Sequence, residues 1–488
     1  MLTRISGVLK TITIEPVIFL FLVGTFILNG AQIPTNILIY KICHVELNHT
    51  EEICADLGND AYNDIENDVQ IRVNNFQTNI IWIASAPGVI FSLYAGPLSD
   101  NLGRKPMIMI PLLGFIFTAI SGIINYAYIK ELPLEFFYLE TISSFFGGFS
   151  IYYLGIYSYG ASVSEPKDRA HRIARLDGTE TISIVIGTLL SPIVSEKLTY
   201  YGSYGLYGGM IILAALYLKF FVREPIKKKK DESKNSKEKR SAYNVLYSTL
   251  VTPLIDIKTL VVKKRKNILT IIIILQLIIY AVYVFAYYSN GLLYLYMLVK
   301  FEGFTAADYS YFTVAISLGN TFFLVIFMPI VSGKFGMNDA LLMTIISIAE
   351  TLSLVVSPFI TSLPLFYASQ MLSTIGYCKY SVGRSLLSKS CEPDEMGKLF
   401  SIQTVLISLA SMACNPIVRK VYNETLKSFP GAFMLLSASL LLLSGFGNLF
   451  IYTNRKELKQ SNQEELEEDI KDKIDLAAID AKNMTTYM

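Results

Sequence analysis

Charge is what this chain is short of. Of its 488 residues, 17% are Asp, Glu, Lys or Arg, against about a quarter in ordinary soluble domains. That deficit argues against a row of soluble domains. Histidine is nearly missing: His44, His49 and His171 are the three present, all in or near loops, so no H-x-x-x-H metal pair lies within an apolar run. Five cysteines form no C-x-x-C pattern, which removes the usual thiol metal and redox motifs. No P-loop supports a nucleotide-driven pump. No paired catalytic aspartates or Ser–Lys arrangement sits among the apolar residues. An enzyme is therefore not expected, nor a metal, an organic cofactor or a nucleic-acid partner.

Long apolar runs, by contrast, abound. Crossing a bilayer takes about 20 apolar residues, and such runs fall near 15–41, 76–99, 106–129, 136–161, 176–198, 203–222, 267–299, 308–331, 339–361, 363–388, 397–420 and 428–453. The first is too long for the apolar core of a signal peptide and reads as a span. Backbone groups in lipid must bond to one another, and no alternating ten-residue pattern suggests a barrel. The fold class expected is all-α: a polytopic membrane protein whose twelve helices form two six-helix bundles.

Basic residues orient the chain. The segment 223–266 carries "KKKK" and "KKRK" and reads as a solvated cytosolic linker and topology anchor. Residues 1–222 then form one bundle, 267–453 the second and 454–488 a cytosolic tail, with both termini inside. The acidic loop 42–75 falls outside. Two glycosylation sequons, at Asn48 and Asn423, fall on the outer side; a third, at Asn483, lies in the tail and should stay unmodified. Cys43 and Cys54 share the outer loop, where an oxidising compartment is compatible with a disulfide between them.

The turn "GPLSDNLGRKP" at 96–106 joins spans 2 and 3 on the inner side. Gly96 allows close helix contact, Gly103 can take a positive φ, Asp100 lies near a helix end, and Arg104 and Lys105 anchor the inner surface. "G-x-x-x-D-x-x-G-R-K" resembles the signature of the major facilitator superfamily, with Asn101 in place of the usual basic residue. The resemblance implies a gating role for this cluster.

Further stretches, "ASVSEPKDRAHRIARLDG", "VGRSLLSKSCEPDEMGKLFS" and "EPVIFL", are similar to the solute-carrier family that contains the proton-coupled folate transporter, over about residues 15–453. The resemblance implies a secondary transporter that moves a small organic, anionic solute by alternating access. Folate-like compounds and cell-wall fragments are among the substrates of known members. A proton is the implied coupling ion, and the plasma membrane or a lysosomal or endosomal membrane the implied location. Apart from the small-molecule substrate and the lipid bilayer, no partner is implied. A non-transporting receptor or sensor on the same fold is the alternative.

Ionisable groups inside spans are functional candidates by default. Arg384 matches the family position linked to substrate or proton, and otherwise snorkels to the inner surface. Asp177 aligns with a proton-coupling acid of the family; Glu180, one turn deeper, can take that role, or Asp177 pairs with Arg172 or Arg175. Glu350, mid-span, must be protonated, paired across helices or facing water. Gln276, Tyr280, Tyr283 and Tyr287 mark span 7; Tyr280 and Tyr283 are candidate cavity residues, whereas Tyr287, Tyr288 and Tyr294 read as an interfacial aromatic belt. Asn29, Gln32, Asn320, Tyr153 and Tyr157 complete the candidates.

Overall fold

A computed structural model describes residues 14–163, 169–224, 267–388 and 396–455. The basic linker and the tail with Asn483 lie outside this description, as do the surroundings of Gly96 and the side chains of Asp100, Tyr288 and Arg384.

Among the described residues every regular element is helical, and twelve passages follow one another. They are α1 (Glu15–Gly30 and Ile33–Lys41), α2 (Asn63–Leu102), α3 (Arg104–Ala127), α4 (Gly148–Ser162, after a 3-10 turn Leu134–Thr141), α5 (Arg169–Lys197) and α6 (Tyr200–Phe220). Then come α7 (Asn267–Ser289 and Leu293–Lys300), α8 (Ala306–Phe322, running on into π turns), α9 (Asp339–Val356), α10 (Leu363–Ser373 and Lys379–Ser388, joined by a 3-10 turn Thr374–Cys378), α11 (Met396–Thr425) and α12 (Ala432–Thr453). Eight are long and apolar enough to cross a membrane. Of the rest, α4 and α10 are interrupted, and α2 and α11 carry buried polar residues, Gln70 and Asn74 on one and Asn415 and Arg419 on the other.

The helix pairings repeat. In the first half α1 packs on α5 and α6, and α3 on α4 and α6. In the second, α7 packs on α11 and α12, and α9 on α10 and α12. The halves meet where α2 lies along α11 and α5 along α8, the same pairing advanced by six helices. Two quasi-equivalent bundles around a central axis are the plan of a rocking transporter.

The sequence dictates this by turning the soluble pattern inside out. Phe220, Phe359 and Leu443 point outward, exposed, where lipid meets them. Ser, Thr and Asn face protein: Thr25 Oγ donates to Phe21 O at 2.8 Å and Ser437 Oγ to Phe433 O at 3.0 Å. Bonding back to the previous turn lets hydroxyls sit on close helix contacts without an orphaned donor.

Each end of the first half is tied differently. At the linker end, Gly103 takes φ 97°, freeing the Arg104 and Lys105 backbone N–H groups to donate to the two Glu224 carboxylate oxygens at 2.9 and 2.8 Å. The Lys105 ammonium donates to the carbonyls of Lys219 and Val222, both at 2.8 Å. Thus an acid caps the start of α3 and a lysine caps the end of α6, each matching the helix dipole it faces. At the other end a disulfide joins Cys43 to Cys54, and the buried Lys41 ammonium donates to the carbonyls of Ile129 and Leu132.

Candidate functional site

A cavity of about 220 Å³ lies between the halves. Phe26, Thr181 and Ile184 approach from the first half; α7, α8, α9 and α10 supply the rest. On its second-half side the Glu350 carboxylate of α9 pairs with the Lys379 ammonium of α10. The two side chains are 15% and 4% exposed, so this is a buried ion pair bordering the cavity. The Tyr283 ring lies 4.4 Å from the ammonium, a cation–π contact whose worth rises on desolvation. Tyr283 is held in turn by Asn448 of α12, whose amide donates to its hydroxyl at 2.9 Å.

The break in α10 makes the pair possible. Within the turn Thr374–Cys378 the chain presents Gly376 to Glu350: a Cβ there would stand 2.7 Å from Glu350 Oε2. Glycine thus lets the carboxylate lie against backbone, next to the lysine that opens the following helical segment.

A second polar group sits in the first half. Tyr153 Oη donates to Glu180 Oε1 at 3.0 Å, and Tyr157 Oη lies 3.0 Å from Glu180 Oε2 and 2.6 Å from Asp177 Oδ1. Tyr157 thus sets its one hydroxyl proton between two carboxyl groups, the shorter contact being the one to Asp177. Arg172 and Arg175 do not serve Asp177: both pair with Glu15, Arg172 through two bonds of 2.8 and 3.2 Å and Arg175 through one of 2.8 Å.

The other expected residues divide. Asn320 lines the cavity. Tyr287 lines it too, and Tyr294 is buried with its hydroxyl bonded to Asn36 of α1; both depart from the expected belt, Tyr287 by facing the cavity from the end of the first segment of α7 and Tyr294 because the segment after the Asn290–Leu292 turn meets α1. Tyr280 is buried behind the cavity, donating to Tyr380 O at 3.4 Å, and Gln276 is buried in the same helix. Asn29 donates back to Thr25 O at 2.9 Å. Gln32 takes φ 52° at the break in α1, its side chain bonded to Asn29 O and Thr35. Asn48 is exposed in the disulfide-bearing loop, also left-handed at φ 54°. Asn423 does not fit a glycan here: it is helical, its amide oxygen accepting from Asn74 at 2.6 Å and its nitrogen donating to Asn75 at 2.8 Å across the junction of the halves.

Two important cations escaped the sequence reading. Lys379 lies mid-span, five residues before Arg384, and its position in an apolar run was the available signal. Arg419 of α11 stands near a span end, where arginine usually only anchors; in the structure it is 6% exposed and bonded to α2.

A family model described as the Major Facilitator Superfamily matches residues 65–377. This chain belongs to the Major Facilitator Superfamily. It is a multi-pass membrane transporter of a small-molecule substrate, not an enzyme, and it resembles the solute-carrier family that contains the proton-coupled folate transporter. It is 24% identical to the mouse "Lysosomal proton-coupled steroid conjugate and bile acid symporter SLC46A3", over 77% of this chain and 79% of that one. It is 23% identical to the fruit-fly (Drosophila melanogaster) "Probable peptidoglycan muropeptide transporter SLC46", over 90% and 85%. To the rat (Rattus norvegicus) "Proton-coupled folate transporter" it is 24% identical, over 73% and 74%. Solved structures share the fold: a POT family transporter bound to a thioalcohol-conjugated peptide aligns over 91% of this chain and 96% of its own with a TM-score of 0.63 and 15% identity. The human organic anion transporter MFSD10 aligns over 90% and 99%, with a TM-score of 0.58 and 14% identity.

Proposed function

We propose that this transporter is a proton-coupled symporter of a bulky organic anion. It works in a plasma or lysosomal membrane with both termini on the cytosolic side. The buried Glu350–Lys379 pair beside the central cavity carries this reading. A buried ion pair is neutral as a whole. An anion that takes Lys379 leaves Glu350 as an uncompensated buried charge, a situation worth about 3–5 kcal/mol. A proton on Glu350 alone leaves Lys379 uncompensated in the same way. Only the empty pair and the doubly loaded pair are cheap, so proton and anion travel together. That is coupling between two sites expressed as a free energy, and it needs no shape change at the site itself.

The relatives named above, by their own names, move steroid conjugates, bile acids, folate and muropeptides. Bile acids and folate are organic anions that carry a rigid ring system. The tyrosines beside Lys379 suit such molecules, since aromatic faces take up flat apolar bodies while their hydroxyls bond to polar edges. Arg384 serves as a second cation for the substrate and the Gly96–Lys105 turn gates the linker end, on the strength of the family resemblance. The test is uptake into proteoliposomes of folate, a muropeptide and a steroid sulfate at two outside pH values. Stimulation by outside acid supports proton coupling; indifference of every probe to pH removes it.

A further inference from the structure

The junction of α2 with α11 holds a cation that the Glu350–Lys379 mechanism does not use. Arg419 Nη1 donates to Gln77 Oε1 at 2.8 Å and to the side-chain oxygen of Asn74. Asn74 returns a bond to Arg419 O at 3.1 Å and is itself fully buried. The Arg419 Nε is buried with no hydrogen-bond partner, and among the described residues no carboxylate pairs with this guanidinium. The acids at this end of α2 have partners of their own: Asp64 meets Lys427 at 3.5 Å, Glu66 accepts from Gln70 at 3.2 Å and Asp68 pairs with Arg72 at 3.3 Å.

As a latch alone this design is poor. A buried cation faced by neutral amides is costly, and an amide or an acid–base pair would fasten two helices better. It becomes sensible if the amides are stand-ins. When the disulfide-bearing end opens, α2 leaves α11, and a planar fork of donors, already short of one partner, faces the aqueous vestibule. We propose that Arg419, with Asn74 and Gln77 beside it, is a first-contact site for the carboxylate or sulfate of the substrate on that side. Closure moves the guanidinium onto the amides and displaces the anion toward the central cavity. The proposal rests on the reading of this chain as an anion transporter, but its test needs no transported substrate.

With the free cysteines replaced by serine and the disulfide kept, Gln77→Cys places a thiol beside Arg419 in the full-length protein. Modification from the disulfide side is timed with two thiosulfonate reagents of similar size, one sulfonate and one trimethylammonium, each normalised to its rate with a free thiol in solution. The sulfonate should react at least tenfold faster. Arg419→Gln should erase that preference, Arg419→Lys should keep part of it, and Asn74→Asp, which supplies a counterion, should suppress it. Equal normalised rates, a preference for the cation, a preference that survives Arg419→Gln, or no labelling by either reagent would each overturn the site. Failure of pH-driven uptake with the anionic preference intact would instead overturn the symport reading and leave this site standing.

Discussion

The two halves hold their intramembrane acids in opposite ways. In the second half Glu350 is balanced by a cation, Lys379. In the first, Glu180 and Asp177 are balanced by hydroxyls, Tyr153 and Tyr157. A counterion can be taken by a competing anion, which forces the acid to change its charge. Hydroxyl partners cannot be taken in that way. The proposed coupling therefore belongs to the ion pair, and the tyrosine cluster is a hydrogen-bonded group that a competing anion does not disrupt.

Removing the lysine should break this contrast most severely. Lys379→Ala strands the Glu350 charge, and about 3–5 kcal/mol corresponds to a loss of uptake of at least 100-fold, measured at equal protein in the membrane. Glu350→Gln should cut net uptake by tens of fold and flatten its dependence on pH, yet leave exchange of labelled for unlabelled anion running, since Lys379 is then permanently available.

A smaller effect belongs to Glu66, in the part of α2 outside the apolar run. Burial pushes its carboxyl up to about 7, with the Gln70 hydrogen bond pulling the other way; hydrated in an opened junction it returns to about 4.3. A group raised in the closed state stabilises closure fully below the lower value, and the contribution vanishes as pH rises through about 7. Labelling of Gln77→Cys, corrected for thiol ionisation, should therefore quicken several-fold as the pH on that side goes from 5 to 8, and Glu66→Gln should flatten the change. The smallest effect sharpens the comparison: Glu180→Gln should cost less than about threefold in uptake, because an amide keeps hydrogen bonds with both tyrosines. If Glu180→Gln abolished pH dependence while Glu350→Gln preserved it, the two halves would have exchanged roles.

Much of the architecture was legible because lipid leaves a chain few choices. Apolar length gives the helices and the superfamily turn gives the plan. The Asp177–Glu180 group was legible too, through family resemblance, and its tyrosines through their polarity in α4. The partner of Glu350 was not. Lys379 is 29 residues away in sequence, and the broken turn around Gly376 that aims it depends on how α9 and α10 pack. Arg419 was hidden for a related reason: an arginine near a span end looks like an anchor until another helix is found lying on it. Tyr287 and Tyr294 misled because a belt and a cavity wall share one composition, and only the packing of α7 on its neighbours separates them.

The central claim is that anion on Lys379 and proton on Glu350 move as one. It is tested most directly by recording anion uptake and proton flux together in the same liposomes, with whichever of folate, a muropeptide or a steroid sulfate the wild-type protein takes up. About one proton should accompany each anion in wild type, and anion exchange should proceed without protons in Glu350→Gln. Proton flux that still tracks the anion in Glu350→Gln at the wild-type ratio would contradict it.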